Sequence, residues 1–213
     1  MAQTPPQKPS ALSLERLPKS LELLKADDGQ VVLRYVDQRQ LPYELVQVST
    51  ASWQQVIDAI VTLAVRGAPA LGVAGAAAFA LWVCNDACFA DKDALVCKAR
   101  AVADEIANAR PTAVNLSWGV TAAFQVFEEV LAQPEEQVKS ACFDAVKELE
   151  AHDEACNRAI GAYGSALLPC AEGGATVLTH CNAGSLATVF YGTALGVIYT
   201  AAMDGNIARV YAD

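Results

Sequence analysis

Two arginines and a cysteine lie at breaks between predicted helices and strands, where a side chain can reach a ligand. The first arginine, Arg66, is followed by Gly67, Ala68 and Pro69, and this proline suits the first turn of a new helix. A guanidinium beside the free amides of a helix N-terminus can bind a phosphate. Taken by itself, the turn favours a structural role, in which Arg66 faces the C-terminal dipole of its own helix and Gly67 caps that helix.

The second arginine, Arg110, precedes Pro111 and therefore also stands at a break. A residue before proline is driven out of the α region, so the amphipathic helix predicted over residues 91–110 ends there. The chain then enters another predicted helix, which extends to about Ala132. Arg110 thus repeats the arrangement at Arg66, and two such arginines could balance the charge of a small anion.

The cysteine, Cys181, belongs to the polar turn His180-Cys181-Asn182-Ala183-Gly184, which follows a short β-branched strand at residues 176–179. Open α/β sheets bind ligands at the carboxyl ends of their strands, so this turn is a predicted site. We expect the thiol to lie near the free amides of the next helix, whose field would favour an anion and lower the pKa of Cys181. His180 either orients the turn or caps the strand.

Residues 175–213 supply the framework for that turn. A helical run over residues 185–203 follows it and ends at Asp204-Gly205-Asn206, where the glycine suits a left-handed C-terminal cap. Residues 207–212 then predict a second strand, which completes a βαβ unit. Two strands and one helix leave both sheet faces and an edge uncovered, so we expect the chain to be the front part of a longer protein.

The preceding residues predict a mostly helical domain with a β-ribbon, whose two strands cover residues 31–36 and 43–48. We expect Trp118, Phe124 and Phe127 in its core. The predicted helices cover residues 53–65, 91–110, about 112–132 and about 134–168, with a break near His152 left open. The fold class is thus α/β overall, with a leader at residues 1–18, the helical domain at residues 19–168 and the start of an α/β domain at residues 169–213.

The composition excludes several classes of protein. Of the 213 residues, 54% are hydrophobic and 18% are charged, which is enough to bury a core rather than remain disordered. The net charge of −9 argues against nucleic-acid binding, so the expected partner is a small molecule. The seven cysteines form no C-x-x-C pair. We therefore predict no metal site and no cofactor, and reduced, buried thiols in a cytoplasmic protein.

Two uncharged runs, residues 67–84 and 185–203, are long enough to consider as membrane spans. The second contains Gly192-x-x-x-Gly196, a spacing found in paired transmembrane helices. Both runs are rich in Ala and Gly rather than in Leu, Ile and Phe, so we predict buried helices and no membrane. Their small residues would allow close packing against a sheet.

Three stretches carry a resemblance to a known family: VRGAPALG at residues 65–72, RPTAVNLSW at residues 110–118 and LTHCNAGSLATVFYGTALGV at residues 178–197. Together they resemble the N-terminal part of the methylthioribose-1-phosphate isomerase family, which acts in methionine salvage. LRYVDQRQLP at residues 33–42 and NRAIGAYGSALL at residues 157–168 are also similar. Members of the family are longer and have a complete Rossmann-like second domain, so the resemblance implies that residues 169–213 begin such a domain.

The resemblance implies an aldose–ketose isomerase that converts 5-methylthioribose 1-phosphate into 5-methylthioribulose 1-phosphate. The turn Arg66-Gly67-Ala68 and Arg110 would bind this sugar phosphate, and Cys181 would assist the movement of a proton or hydride between C1 and C2. The family's aspartate partner for that cysteine has no counterpart here, because Asp213 lies too early. We therefore expect the chain alone to be inactive. The resemblance also implies that the full-length protein is a homodimer.

Three other interpretations compete with this one. Regulatory subunits of the translation-initiation guanine-nucleotide exchange complex share the fold, on resemblance, but a scaffold needs neither a reactive thiol nor two phosphate-binding arginines. A ribose-1,5-bisphosphate isomerase is a related enzyme, and the residues that separate its substrate from a methylthio sugar fall outside this sequence. A dinucleotide-binding module is the weakest option, because the turn after residues 176–179 lacks G-x-G-x-x-G.

Overall fold

The structure, a computed structural model, describes residue 14, residues 17–169 and residues 173–213. It is a mixed α/β fold in which helices predominate, as the sequence predicts. The predicted leader falls mostly outside the described residues, as does Cys170. In chain order the elements are β1 (Leu21–Lys25), β2 (Val31–Val36), β3 (Gln47–Thr50), α1 (Trp53–Val61), α2 (Ala68–Leu81), α3 (Lys92–Ala107), α4 (Val114–Val130), α5 (Glu135–Ala166), β4 (Ala175–Thr179), α6 (Ala194–Met203) and β5 (Ile207–Ala212).

The N-terminal sheet has three antiparallel strands in the order β1-β2-β3, not the two of the predicted ribbon. The prediction missed β1, in which Leu21 and Leu23 are buried while the residues between and after them are partly exposed. Leucine is a common helix former, so LELLK gives a weak strand signal. The last strand is also displaced from the predicted residues 43–48, because residues 41–43 form a turn and pairing begins at Gln47.

Helix α2 is the centre of the core, with twelve of its fourteen residues buried. Alanine and glycine make up most of it, so neighbouring helices can approach its backbone. A Cβ atom on Gly75 would lie 2.7 Å from Leu116 Cδ1, and one on Gly119 of α4 would overlap the carbonyl group of Gly72. The apolar run therefore serves close helix packing, and the glycines on both sides of the contact permit it.

Helix α2 and the turn that continues it, Ala68–Asp86, are together long and apolar enough to cross a membrane by length and composition, with a mean hydropathy of 1.5. The most apolar stretch of this segment is 78% buried within the fold, which is the pattern of a core helix. A π-helical turn, Trp82–Asp86, forms its C-terminal end. The other uncharged run is not one helix, because α6 begins only at Ala194.

The aromatic residues between α2 and α4 are buried to different extents, and one of them departs from the prediction. Phe79 and Phe127 are fully buried and pack edge to face with ring centroids 5.8 Å apart, and Phe124 is partly buried against them. Trp118, which we predicted in the core, is 54% exposed. Its ring lies against Gly72 of α2, and the rest of the indole is in solvent.

Helix α5 is continuous over Glu135–Ala166, so no break occurs near His152. Its C-terminal half packs against α6, again through small residues. A Cβ on Gly161 would lie 3.0 Å from the carbonyl oxygen of Gly196, and one on Gly196 would lie 3.6 Å from the carbonyl oxygen of Asn157. The two helices therefore meet almost backbone to backbone.

The C-terminal unit has the predicted parallel pairing of β4 with β5. Helix α6 ends at Met203 as expected, and Gly205, two residues later, has a left-handed φ of 76°. The amide of Gly205 donates to the carbonyl of Ala202 at 3.1 Å, and that of Asn206 donates to Ala201 at 2.8 Å, which is a Schellman cap. Large apolar side chains of this pair of strands are exposed, among them Leu178, Val210 and Tyr211. The assignment of residues 169–213 to a separate domain stays a prediction.

Replacing Gly119 with alanine should destabilise the protein, although alanine is the better helix former by roughly 1 kcal/mol. The added methyl group overlaps the backbone of Gly72, and overpacking of this kind costs about 1–3 kcal/mol. Urea unfolding measures the change in the free energy of unfolding. Ser117→Ala, at an exposed position of α4, is the control and should stay within about 0.5 kcal/mol of the parent. A Gly119→Ala protein of parental stability would contradict the close helix contact.

Candidate functional site

Gly67 joins the segment after α1 to α2 in a conformation that favours glycine, with a φ of 97°. The prediction that it caps α1 is wrong, because α1 ends at Val61 and Gly67 directly precedes α2. A Cβ on Gly67 would lie 2.5 Å from the carbonyl oxygen of Ala187. The arginine turn thus lies in backbone contact with the segment that follows Cys181.

Gln38 connects the same two segments through its side chain, and sequence reasoning gave it no role. Its amide nitrogen donates to the carbonyl of Leu186 at 2.7 Å, and its oxygen accepts from Nε of Arg66 at 3.3 Å. Its own backbone amide donates to Ala64 at 3.0 Å. Gln38 is the second residue after β2, and its side chain is buried, so its amide must find partners. Nothing in the local sequence indicates that burial.

One cavity of roughly 550 Å³ brings the predicted substrate-binding residues together. Arg66 and Arg110 both line it, although they are distant in sequence. The other lining residues are Leu63, Gly67, Ala68, Leu71, Thr112, Ala113, Val114 and Asn115. The structure therefore places all four residues, Arg66, Gly67, Ala68 and Arg110, around one space, whereas Cys181 is not among its lining residues.

Two helices open into this cavity, because Ala68 is the first residue of α2 and Val114 is the first residue of α4. Neither helix has a side-chain hydrogen bond at its N-cap. The first amides of a helix lack intrahelical partners and carry a partial positive charge. Two uncapped N-termini and two guanidinium groups make this cavity a favourable environment for an anion.

Neither arginine is neutralised by a carboxylate from the described part of the chain. Salt bridges there involve Arg34, Arg39, Arg100 and Arg158, but not Arg66 or Arg110. Arg66 is exposed and Arg110 is partly exposed. Both positive charges therefore remain available to a ligand, in a chain whose net charge is −9.

Cys181 is exposed and lies directly beyond β4, at the carboxyl end of that strand. Its φ of 67° is left-handed, which is uncommon for a residue with a Cβ. Only a three-residue 3₁₀ turn, Ser185–Ala187, follows within the loop, and α6 begins thirteen residues after Cys181. The helix predicted from Ser185 begins only at Ala194, yet the amides of Thr193 and Leu195 at its N-terminus donate to the carbonyl of Ala183, two residues after Cys181. The expected position of the thiol near these amides stays a prediction.

His180 and Asp213 meet where the two parallel strands end, with His180 Nδ1 2.6 Å from Asp213 Oδ1. The amide of Asp213 also donates to the carbonyl of Thr179 at 3.3 Å. Sequence reasoning left the role of His180 open and set Asp213 aside. Parallel strands end at one edge, which explains why residues 33 positions apart lie together there.

Buried polar contacts hold the loop between Ser185 and α6 against α5. Asp153 Oδ2 accepts from the amide of Val189 at 2.7 Å and from Nδ2 of Asn157 at 3.0 Å. Burial raises the pKa of the Asp153 carboxyl, and these two hydrogen bonds oppose the rise. Ser20 adds a second anchor, since its amide donates to the carbonyl of Val189 at 2.9 Å.

The thiols are less buried than predicted. Cys142 is buried and Cys84 partly so, and burial raises their thiol pKa values to about 12 and about 11. The other described cysteines, Cys88, Cys97, Cys156 and Cys181, are exposed. In the described ranges no three His, Cys, Asp or Glu side chains lie close enough together to hold a metal ion.

Comparison with known proteins gives concordant matches. The sequence profile of the Initiation factor 2 subunit family matches residues 64–213. A methylthioribose-1-phosphate isomerase from Anaeromyxobacter sp. (strain Fw109-5) is 42% identical over 92% of this chain and 53% of its own length. A 5-deoxyribose 1-phosphate isomerase from Moorella thermoacetica is 41% identical over 87% of this chain and 51% of its own.

Two solved structures have the same fold. The 5-methylthioribose 1-phosphate isomerase from Pyrococcus horikoshii OT3 aligns with a TM-score of 0.82 and 29% identity, over 93% of this chain and 54% of that one. The translation initiation factor eIF-2B, subunit delta, from A. fulgidus aligns with a TM-score of 0.77 and 39% identity, over 92% of this chain and 54% of that one. The chain spans about half the length of the relatives it matches.

Replacing Asp153 with asparagine should change how stability depends on pH. The raised pKa means that the folded protein holds this proton more tightly than the unfolded chain, whose aspartate pKa is about 3.9. The contribution of Asp153 to stability is therefore complete below the unfolded pKa and is lost as the pH rises through the folded pKa. Relative to the parent, Asp153→Asn should gain stability as the pH rises from about 3 to about 7.

Urea unfolding at a series of pH values measures this difference. The asparagine oxygen can still accept the amide of Val189, so the loop contact is retained. Asp104→Asn, at an exposed position of α3, is the control for removing one negative charge from a helix. Parallel stability curves for Asp153→Asn and the parent would show that this carboxyl does not titrate differently in the fold.

Proposed function

Because the chain belongs to the Initiation factor 2 subunit family, we propose that it is the N-terminal part of an isomerase that converts 5-methylthioribose 1-phosphate into 5-methylthioribulose 1-phosphate. This activity would place it in methionine salvage. The observation that carries the proposal is the cavity in which Arg66, Arg110 and two uncapped helix N-termini converge. The names of the curated relatives agree with it.

The cavity's chemistry suits one end of such a substrate. A phosphate dianion accepts hydrogen bonds from guanidinium groups in a bidentate geometry and from helix amides as well. In our proposal Gly67 and Ala68 offer backbone amides, while Arg66 and Arg110 supply the charge. Gln38 orients Arg66, since it accepts from Nε and leaves the two terminal nitrogens of the guanidinium for the ligand.

In our proposal the apolar side of the cavity contacts the end of the substrate that carries no phosphate. Leu63, Leu71 and Val114 line it, and Leu63 and Val114 have exposed side chains. These three side chains offer van der Waals contact to an uncharged methyl or methylthio group and no hydrogen-bond donor to a second phosphate. This favours a methylthio or 5-deoxy sugar over a ribose 1,5-bisphosphate. The Moorella thermoacetica relative makes a 5-deoxyribose 1-phosphate the second candidate substrate.

We assign Cys181 the transfer of hydrogen between C1 and C2. Isomerisation of an aldose to a ketose removes hydrogen from C2 and adds hydrogen to C1, so a group that gives and takes a proton at these atoms is needed. Cys181 lies outside the cavity lining but in the segment whose Ala187 contacts Gly67. In the proposal, its acid/base partner comes from a Rossmann-like domain that β4, α6 and β5 begin, so the 213-residue chain is inactive by itself.

The free thiols of the described cysteines agree with a cytoplasmic protein. We extend the proposal to a homodimer of full-length chains.

The non-enzymatic alternative is a regulatory subunit, and the resemblance to the A. fulgidus initiation factor structure supports it. A regulatory role leaves two unpaired arginines around one cavity without a purpose, which is why we prefer the isomerase.

The test joins this chain to the C-terminal half of the Anaeromyxobacter sp. isomerase and measures turnover of 5-methylthioribose 1-phosphate. Arg66→Ala and Arg110→Ala should each lower kcat/KM by roughly 10- to 150-fold, as expected for loss of about 1.5–3 kcal/mol of charge-assisted hydrogen bonding. Cys181→Ala should abolish turnover while leaving substrate binding measurable. The chain without its second half should show no turnover.

The matched control is Arg100→Ala, which removes an exposed arginine of α3 that pairs with Glu128 away from the cavity. It should leave kcat/KM unchanged within about twofold. Parental kinetics in both cavity variants would refute the phosphate site, and turnover without Cys181 would refute its catalytic role. A well-folded joined protein that binds but never isomerises the sugar phosphate would support the regulatory alternative.

A further inference from the structure

A cysteine and a histidine form a pair on the exposed surface of α5, away from the cavity of Arg66 and Arg110. Cys156 Sγ lies 3.4 Å from His152 Nε2, one helical turn earlier. Both side chains belong to exposed residues. Residues four apart on a helix face each other, so the rigid backbone of α5 maintains the pairing.

The two acidic residues between His152 and Cys156 in sequence are engaged elsewhere. Asp153 accepts from the amide of Val189 and from Nδ2 of Asn157. Glu154 binds the guanidinium of Arg158 at 2.8 Å. Glu148, one helical turn before His152, lines a cavity together with it. Among the described residues, His152 is therefore the titratable group in hydrogen-bond contact with the Cys156 thiol.

We propose that Cys156 is a nucleophilic modification site, with His152 as its general base, for low-molecular-weight disulfides. Neutral imidazole accepts the thiol proton at Nε2, which produces the thiolate that attacks a disulfide. The new sulfur–sulfur bond forms as the old one breaks, and the departing thiolate takes the proton back from imidazolium. Cys156 is oxidised to a mixed disulfide, and half of the small disulfide is reduced to a free thiol.

Cys97 offers an internal comparison within the same molecule. It is exposed and lies on a helix, α3, but the residue four positions earlier is Asp93. Exposure and helical context are thus matched, and the two sites differ in the residue one turn earlier, which is an imidazole at Cys156 and a carboxylate at Cys97. Reaction at Cys97 reports what an exposed helical thiol does without an imidazole.

The experiment treats the folded 213-residue protein with 2-hydroxyethyl disulfide, a neutral probe, near neutral pH. Acid quenching and peptide mapping by mass spectrometry then give a rate for each cysteine separately. Cys156 should form its mixed disulfide about fivefold or more faster than Cys97. His152→Gln should lower the Cys156 rate about fivefold or more and leave the Cys97 rate unchanged.

Glutamine keeps a polar side chain on the helix surface but cannot accept the thiol proton. Circular dichroism checks that the variant is folded, and the wild-type comparison of Cys156 with Cys97 needs no variant at all. Equal wild-type rates at the two cysteines would overturn the proposal. An unchanged Cys156 rate in folded His152→Gln protein would overturn it as well.

Discussion

The close contact between α2 and α4 determines where the charged groups of the candidate site lie. Gly72, Gly75 and Gly119 let the first halves of the two helices meet at backbone distance. Both N-termini therefore open into the same cavity, each preceded by a turn that carries an arginine. Two positive helix ends and two guanidinium groups repel one another, and packing among small apolar residues must offset that repulsion. A bound anion would remove it.

This arrangement explains why sequence reasoning found the right residues but not their geometry. A nearby proline marks a break in the chain at each arginine, directly after Arg110 and three residues after Arg66. Such breaks are visible in the local sequence, so both arginines could be singled out. That they share one cavity depends on helix packing across more than forty positions, which no local pattern records. The family resemblance supplied their association before the structure did.

The same distinction accounts for the errors. The start of helix α1, strand β2 and the cap at Gly205 follow from short-range rules and were predicted correctly, whereas α1 ends at Val61 and not at the predicted residue 65. The sequence of β1 forms a strand only because it pairs with β2. The late start of α6 reflects the loop before it, which contacts with the distant residues Asp153 and Ser20 hold in place. Gln38 has an ordinary local sequence, yet it bridges Arg66 and Leu186. Its contribution becomes visible only when three segments come together.

Helix α2 has a further consequence for binding. Alanine and glycine side chains have no χ rotamers, so the interface around Ala74, Ala77 and Ala78 cannot repack by changing rotamers, as an interface of leucines or methionines can. The close contact of Gly72 with Gly119 therefore fixes the spacing of the two helix N-termini. A ligand that enters between them meets a framework that is already rigid, and the conformational entropy lost on binding would come mainly from the long side chains of the two arginines.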